Sequence, residues 1–303
     1  MAENPDLSII ILNYNVKDLL LQCLESVFKS KTKEDNWQII VVDNASSDGS
    51  VEAVRELASH IVSGNVIEVV ENQSNLGFAG GNNVGVKLAK ASVVLFLNPD
   101  TVIVGKAIAK SYEYLISNPD IGALTCRVEL PDGKLDYSCH RGFPTPWNSF
   151  CYFLGLSKLF PKWKLFAGYT ATYLDTSKTH EIDCLTGAFL MVRKIAGEQI
   201  NWWDKDYFWN GEDIEFCYSL KEKARLPDGQ GWKIYFYPEA RIIHYKGSSA
   251  RKEKATISHG ISAMRIFYKK HYYYQYPPIF RDVVLAGIKM LEHYRKAKLW
   301  IYQ

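Results

Sequence analysis

Four short apolar runs within the first hundred residues constrain the fold more than any other feature of the sequence. Each has the length of a strand and lacks polar alternation, and helix-like segments separate them. Strands of this kind, alternating with helices, are typical of a mostly parallel sheet that helices cover on both faces. The sequence therefore predicts an α/β fold. The runs span 7–12, 37–43, 66–72 and 92–98, and the helix-like segments span 16–28, 51–59 and 82–91.

Polar residues stand directly after three of these runs. In open α/β sheets, ligands bind beyond the carboxyl ends of the strands. We therefore expect a binding site to include Asn13 and Asn15 after the first run, Asp43 and Asn44 after the second, and Asn98 and Asp100 after the fourth.

The composition argues against several classes of protein. A hydrophobic content of 47% in 303 residues supports a full core, and 36 basic residues nearly balance 33 acidic ones, so the charge indicates no nucleic-acid partner. Six scattered cysteines without a C-x-x-C pair favour a reducing, cytoplasmic location and predict no zinc site. Without a basic and apolar leader, or an apolar run of about 18 residues, we expect neither a signal peptide nor a membrane span.

The glycine-rich stretch NLGFAGGNNVG (75–85) does not match a standard nucleotide fingerprint. It does not fit G-x-G-x-x-G, and G-x-x-x-x-G-K-[ST] occurs nowhere in the chain, which argues against NAD enzymes and P-loop ATPases. Its glycines would allow the backbone to approach a nucleotide closely, and tight turns explain them equally well.

Seven segments of the chain form a recognisable series: SIIILNYN, VVDNASSDGS, NLGFAGGNNVG, FLNPDT, GAFLMVRK, FWNGEDIEFCYSL and PEARIIHYKGSS. In this order they resemble family 2 glycosyltransferases, and in particular the rhamnosyltransferase-like branch. The resemblance implies a GT-A catalytic domain at 1–250, with a nucleotide-sugar-binding half at 1–105 and an acceptor-binding half at 106–250. It also implies a dTDP- or UDP-sugar donor, a Mg²⁺ or Mn²⁺ ion and inversion at the anomeric carbon.

The resemblance implies that Asp100 and His244 bind the metal ion. A departing nucleoside diphosphate accumulates negative charge, which a divalent cation held by oxygen ligands neutralises. The family's D-x-D pattern reads Asn98-Pro99-Asp100 here, so one carboxylate is missing and Asn98 can offer only its amide oxygen or a bound water. The family pattern gives the position of His244 to the metal or the diphosphate, and imidazole is an acceptable Mn²⁺ ligand. The alternatives are a simple turn at Asn98-Pro99-Asp100 and a structural histidine.

The donor site is expected among the residues that follow the first strands. The resemblance gives Asp43 a contact with the base and ribose of the donor. An N-cap of the following helix is the alternative, although Ser46 or Ser47 could fill that role. The donor-binding residues that we expect are Asn13, Asn15, Asp43, Asn44, Asn75, Gly77, Asn82 and Asn98.

The segment WNGEDIEF supplies the candidate catalytic base. Inverting transfer needs a carboxylate that takes the proton of the acceptor hydroxyl. The adjacent Glu212 and Asp213 match the acidic pair of the family, and we assign the base to Asp213, with Glu212 supporting it or binding acceptor. Glu215 is expected to be solvated. The alternative makes all three the first turn of a helix, where carboxylates favour the positive end of the dipole.

Three further segments have predicted roles near this site or on the surface. One or two of the aromatic residues Trp202, Trp203, Tyr207, Phe208 and Trp209 are expected to contact ligand, since aromatic clusters are more often core. The segment PDGKLDYSCHRGFPTPW is expected to form an acceptor-side loop with Arg141 as a phosphate contact. The segment LPDGQ is expected to be an insertion in a surface loop.

A helical extension rich in basic and aromatic residues is predicted for 251–303. Such a mixture suits peripheral contact with the inner face of the cell membrane, or a helical pair packed on the catalytic core.

The predicted function is inverting transfer of a sugar, with rhamnose or another deoxyhexose favoured, to a glycan or lipid-linked glycan in surface polysaccharide synthesis. A sugar nucleotidyltransferase and a catalytically inactive carbohydrate-binding relative remain as alternatives. The first lacks its expected glycine- and basic-rich loop after SIIILNYN, and the full set of candidate site residues argues against the second.

Overall fold

The computed structural model describes residues 4–60, 67–246 and 253–301. The strands in these ranges are β1 (Leu7–Asn13), β2 (Trp37–Asp43), β3 (Ile67–Glu71), β4 (Val93–Leu97), β5 (Thr101–Val104), β6 (Ile121–Glu129), β7 (His180–Glu181), β8 (Phe189–Arg193) and β9 (Lys233–His244). The helices are α1 (Lys17–Ser30), α2 (Ser50–His60), α3 (Gly77–Val86), α4 (Ala107–Ser117), α5 (Pro146–Phe153), α6 (Leu156–Leu159), α7 (Lys164–Ala167), α8 (Lys194–Gln199), α9 (Glu212–Glu222), α10 (Glu253–His271) and α11 (Pro278–Ile301).

All of these strands join one sheet in the order β3-β2-β1-β4-β8-β6-β9-β5, and β7 pairs with β9. The first four strands in that order are mutually parallel, as the sequence predicts. β8 and β5 run antiparallel to their neighbours β4 and β9, so the sheet is mixed beyond β4. Every residue of β4 is buried, which explains why its sequence shows no polar alternation.

The register of two strand pairs positions the polar residues. Asn13 stands beside Asp43 at the ends of β1 and β2. Thr101 at the start of β5 stands opposite His244 at the end of β9. These pairings bring together residues that lie far apart in the sequence, at the edge of the sheet where ligands bind in α/β folds.

Helix α3 starts at Gly77, so the helix predicted for 82–91 begins and ends five residues too late. Its glycines let the helix approach the sheet closely. A Cβ on Gly81 would lie 2.3 Å from Leu12 Cδ1, and a Cβ on Gly85 would lie 2.6 Å from Ile10 Cγ2. Glycine has a low helix propensity, so the sequence pattern does not predict a helix at 77–81. The helix forms there because its glycines allow it to pack closely on the sheet.

The expectation that Glu215 is solvated is wrong, because its side chain is only 3% exposed. Glu215 accepts hydrogen bonds from Tyr207 Oη at 3.0 Å and Ser219 Oγ at 2.9 Å. His271 Nε2 at the end of α10 lies 2.7 Å from its Oε2. Burial acts to raise the pKa of Glu215, but the hydrogen bond and charge of His271 outweigh it and lower the pKa. Glu215 therefore ties α9 to the C-terminal extension.

The extension packs on the rest of the protein through a hydrophobic cluster. Tyr207 contributes to it from before α9, Phe267 and Tyr272 come from α10 and its C-terminal end, and Ile288 comes from α11. The two C-terminal helices therefore pack on the rest of the protein, which is one of the two interpretations that the sequence supports. None of the described helices is long and apolar enough to cross a membrane. The boundary predicted at residue 250 falls between 247 and 252, outside the described residues, and remains a prediction.

The predicted insertion LPDGQ is an exposed turn at 226–230, between α9 and β9. The N–H of Leu226 donates to the carbonyl of Gln230 at 2.8 Å and closes the turn.

Replacing Gly85 by alanine should destabilise the fold, because the new methyl group would collide with Ile10 and also approach Val42 Cγ2 to 3.1 Å. Overpacking of this kind costs about 1–3 kcal/mol, which exceeds the helix-propensity gain of about 1 kcal/mol. Gly287 lies inside α11 with open space around its Cβ position, so Gly287→Ala is the matched control and should be neutral or stabilising. Urea unfolding of both variants measures the difference, and equal stability of the two would contradict close packing of α3.

Candidate active site

The carboxyl ends of β1 and β2 form a hydrogen-bonded cluster. Asn13 Nδ2 donates to Asp43 Oδ1 at 2.7 Å and to Ser46 Oγ at 3.1 Å. The N–H of Ser46 donates to Asp43 Oδ2 at 2.7 Å, and the N–H of Asn15 donates to Ser46 Oγ at 2.9 Å. Asp43 therefore organises the turn after β2. It does not cap α2, which begins only at Ser50, where Asp48 accepts from the Ser50 N–H.

A second cluster shapes the start of α3. Asn44 Nδ2 donates to the carbonyl of Gly77 at 3.0 Å and to Asn75 Oδ1 at 3.3 Å, and Asn75 Oδ1 also accepts from the N–H of Gly77 at 2.9 Å. Gly77 has a φ of +72°, and a Cβ there would lie 2.5 Å from the carbonyl oxygen of Phe208. Asn82 is buried and donates to the carbonyl of Phe78 at 3.0 Å within α3. The predicted donor residues Asn44, Asn75 and Gly77 thus meet, while Asn82 stabilises the helix behind them.

Asp100 and His244 lie together, as the sequence predicts. His244 Nε2 is 3.2 Å from Asp100 Oδ1, and both residues are almost fully buried. The turn that delivers Asp100 is closed by the Thr101 hydroxyl, which donates to the carbonyl of Asn98 at 2.7 Å. The sequence Asn98-Pro99-Asp100 is therefore both a turn and the source of a carboxylate beside His244.

Asp136 is a neighbour of His244 that the sequence did not reveal. Its Oδ2 lies 3.4 Å from His244 Nδ1, and its Oδ1 accepts from Lys246 Nζ at 3.0 Å. Burial acts to raise the pKa of Asp136, but His244 and Lys246 hold it well below the usual range. Burial alone would lower the pKa of His244, but Asp100 and Asp136 raise it to about 9. Asp136 lies in a loop whose sequence has no helix or strand periodicity. The one sequence feature that points to it is the segment PDGKLDYSCHRGFPTPW, which contains it.

Asp100 and His244 could hold a divalent cation only if His244 first loses the proton that its raised pKa retains, because imidazole binds a metal in its neutral form. Among the described residues, no group of three or more His, Cys, Asp or Glu side chains has the arrangement of a metal site. A cation at this pair would therefore complete its coordination with donor phosphate oxygens and water.

The acidic pair opens α9 directly after Gly211, which has a φ of +86°. Arg141 Nη2 donates to Asp213 Oδ2 at 2.6 Å and to the carbonyl of Leu185 at 2.9 Å. The N–H of Ile214 donates to Asp213 Oδ1 at 2.8 Å. Asp213 therefore has a fixed orientation. The structure places Arg141, interpreted from the sequence as a phosphate contact, against the candidate base.

The carboxyl group of Glu212 has different surroundings from that of Asp213. Its Oε2 atom is sealed from solvent and has no hydrogen-bond partner among the described residues. Burial, together with the negative charge of Asp213, raises the pKa of Glu212 to about 8. The raised pKa favours the neutral acid form of Glu212, which can donate a hydrogen bond, whereas Asp213 has Arg141 as a cationic partner.

A short segment, 185–188, holds these two parts of the site close to each other. The carbonyl of Leu185 accepts from Arg141, and the carbonyl of Ala188 accepts from the N–H of Asn98 at 3.1 Å. Three residues of chain span at most about 11 Å, so the Asn98 turn and the Arg141–Asp213 ion pair flank one site.

Most of the aromatic residues before the acidic pair belong to the core. Trp203 and Tyr207 are 2% and 1% exposed, and Trp202 packs edge-on against Phe96. Phe208 is the most exposed member of the set at 44%, and its carbonyl accepts from the N–H of Phe78 at 3.0 Å. Among the five, Phe208 is therefore the best-placed candidate for ligand contact.

Sequence comparisons identify relatives that transfer sugars. A poly(ribitol-phosphate) beta-glucosyltransferase of Bacillus spizizenii is 27% identical over 70% of this chain and 34% of its own length. Rhamnosyltransferase WbbL of Escherichia coli is 26% identical over 78% of this chain and 82% of its own length. An N-acetylglucosaminyl-diphospho-decaprenol L-rhamnosyltransferase of Mycobacterium tuberculosis is 23% identical over 82% of this chain and 79% of its own length. The chain thus spans only about a third of the glucosyltransferase.

Solved structures share the fold at low sequence identity. Mannosyltransferase PcManGT of Pyrobaculum calidifontis, solved with GDP-Man and Mn²⁺, matches with a TM-score of 0.60 and 16% identity over 97% of this chain and 72% of that chain. S. aureus TarS matches with a TM-score of 0.57 and 15% identity over 93% and 42%. These matches confirm the predicted GT-A fold. The sequence model described as glycosyl transferase family 2 matches residues 8–181, more than half of the chain, and the protein therefore belongs to that family.

Proposed function

We propose that the protein is an inverting, metal-dependent glycosyltransferase that takes a sugar from a nucleoside diphosphate donor. The observation that carries the proposal is the 185–188 segment, which binds both the Asn98 turn and the Arg141–Asp213 ion pair. It sets a candidate diphosphate side and a candidate base within one site, which displacement at an anomeric carbon requires.

The reaction needs a different contribution from each side of this site. A divalent cation held by Asp100 and His244 would supply charge neutralisation to the departing diphosphate. Asp213 takes the proton of the acceptor hydroxyl, while its ion pair with Arg141 fixes its orientation. Glu212, as a neutral acid, donates a hydrogen bond to acceptor or substrate oxygen. The cluster of Asn13, Asp43 and Ser46 is the proposed contact for the base and ribose of the donor.

The names of the relatives support proposals for the donor and the acceptor. The names of the E. coli and M. tuberculosis relatives favour rhamnose or another deoxyhexose as the transferred sugar. The proposed donor is a dTDP-sugar, with a UDP-sugar as the other candidate. The M. tuberculosis name also favours an acceptor carried on a lipid diphosphate, in synthesis of a surface polysaccharide. A panel of nucleotide sugars with Mn²⁺ or Mg²⁺ tests this through nucleoside diphosphate release. Formation of a nucleotide sugar from a nucleoside triphosphate would instead identify a nucleotidyltransferase.

The C-terminal extension keeps its predicted second role as a contact for the inner membrane face. Ile279, Val283, Met290 and Tyr294 are spaced by four, seven and four residues on α11, and each is more than 60% exposed. This spacing places them on one face of the helix. Lys289 and Lys296 lie on another side of α11, where they line a groove together with Arg265 and Lys269 of α10.

Chelation of divalent cations should abolish donor turnover, because no second carboxylate in Asn98-Pro99-Asp100 can replace Asp100 as a ligand. Asp100→Ala should also lose the Mn²⁺ dependence of nucleotide binding, measured by calorimetry without turnover. Asp132 is an exposed carboxylate paired with Lys134, so Asp132→Ala is the control and should keep that dependence. Full turnover in excess EDTA would remove the metal from the proposal.

Asp213→Asn should reduce turnover by about 10² to 10⁴-fold and leave donor affinity nearly unchanged, because a general base acts on the acceptor in the transition state. Asp43→Asn should have the opposite effect and weaken donor binding first. Steady-state kinetics with varied donor, on variants whose folding is verified by circular dichroism, separates the two effects.

Glu212→Gln is the control for this assignment, because glutamine retains a hydrogen-bond donor and should preserve more turnover than Asp213→Asn. Loss of turnover in Glu212→Gln, with an active Asp213→Asn, would move the base to Glu212.

Substitution of the exposed face of α11 tests the second role of the extension. Truncation is unsuitable, because it would remove His271 from the buried Glu215. Val283→Ser combined with Met290→Ser should instead lower binding to phosphatidylglycerol vesicles in a sedimentation assay, since both side chains are exposed. Unchanged vesicle binding would leave α11 with its packing role alone.

A further inference from the structure

The three short helices α5, α6 and α7, together with their connections at 145–168, form a small unit that we call the aromatic hairpin. Of the 21 large hydrophobic side chains that are exposed in the described part of the chain, nine lie between 147 and 165. Leu159 is 71% exposed, Trp163 is 61% exposed, and Leu154 and Leu165 are each 60% exposed. Scattered exposed apolar residues are ordinary, but such a concentration marks a surface that binds another apolar phase.

Internal hydrogen bonds and ring contacts hold the aromatic hairpin in shape. Trp147 Nε1 donates to the carbonyl of Leu165 at 2.8 Å and joins α5 to α7. Thr145 caps α5 by accepting from the N–H of Asn148, and Asn148 Nδ2 donates to the carbonyl of Phe143 at 2.8 Å. Trp147 also stacks on Phe150, with ring centroids 5.7 Å apart. The apolar side chains are therefore presented by a folded support.

The charge of this region indicates what it contacts. No Asp or Glu occurs between Asp136 and Asp175, although 33 of the 303 residues of the chain are acidic. Lys158, Lys162 and Lys164 are exposed on the aromatic hairpin, and none has an ion pair among the described residues. Exposed aromatic and aliphatic side chains interleaved with lysine suit the boundary of a bilayer that carries negative head groups. We infer that the aromatic hairpin is a docking surface for an anionic lipid membrane.

The aromatic hairpin lies next to the acceptor side of the proposed site. Its ends meet where the N–H of Gly142 donates to the carbonyl of Tyr169 at 2.9 Å, directly after Arg141 in the chain. Arg141 carries the ion pair with Asp213. Docking therefore brings the acceptor side of the site close to the head groups, where an acceptor attached to a lipid would be presented. This last step rests on the proposed function, whereas the docking itself does not.

Vesicle sedimentation of the full chain, without donor or metal, tests the docking. The wild-type protein should bind vesicles of phosphatidylcholine with phosphatidylglycerol and bind pure phosphatidylcholine more weakly. Leu159→Ser combined with Trp163→Ser should weaken binding by about tenfold or more, because two large apolar side chains are removed from the contact. Exchanging Lys158, Lys162 and Lys164 for glutamine should weaken it by about fivefold for each lysine and remove the preference for anionic lipid.

Matched variants make the result specific. Ile116 and Ile195 are exposed apolar residues on α4 and α8, so Ile116→Ser with Ile195→Ser should bind like the wild type. The α11 pair Val283→Ser and Met290→Ser reports separately on the extension. All variants should retain wild-type thermal unfolding and nucleotide affinity.

Three outcomes would overturn the inference. The first is that the wild-type protein fails to bind anionic vesicles, and the second is that the Leu159 and Trp163 variant binds them equally well. The third is a wild-type dimer that this variant converts to monomer in light scattering while vesicle binding is unchanged, since the hairpin would then bind a second copy of the chain. Failure of the proposed catalysis would leave the vesicle result intact, so the two hypotheses fail separately.

Discussion

Antiparallel pairing of β5 with β9 is the interaction on which the candidate metal side depends. It sets Thr101 opposite His244 and thereby brings the Asn98-Pro99-Asp100 turn to a histidine far along the chain. Pairing of β9 with β6 adds Asp136, whose N–H donates to the carbonyl of Val128 in β6, and Lys246 follows β9, so that charges of opposite sign alternate around the nearly buried His244. Charges buried in this way persist only when each has a partner. The pairing of β9 with its neighbours β5 and β6 therefore sets the electrostatics of this side of the site.

The acidic pair shows how one helix start supports two protonation states. Asp213 has a cationic partner in Arg141, whereas Glu212 Oε2 has no hydrogen-bond partner among the described residues and is close to the charge of Asp213. Adjacent carboxylates that meet such different surroundings separate into a charged base and a neutral acid.

The sequence predicted the features that arise from local patterns. The strands of the parallel half were found because burial on both faces leaves a continuous apolar run, as in β4. The placement of Asp100 beside His244 came from motif order. The start of α3 was missed, because glycines at 81 and 85 lower helix propensity and reveal their packing role only when the sheet is present. Asp136 is not predicted and Glu215 is wrongly expected to be solvated, because their partners are distant in sequence and no local pattern records them.

The link between Glu215 and His271 has a consequence for the order in which the protein matures. Helix α9, which begins with the acidic pair, buries a carboxylate whose imidazole partner comes from the end of α10. A nascent chain that has emerged from the ribosome only as far as β9 already contains Tyr207 and Ser219, which donate hydrogen bonds to that carboxylate, but it lacks the imidazole of His271. The contact that joins α9 to the extension can therefore form only after α10 has been synthesised.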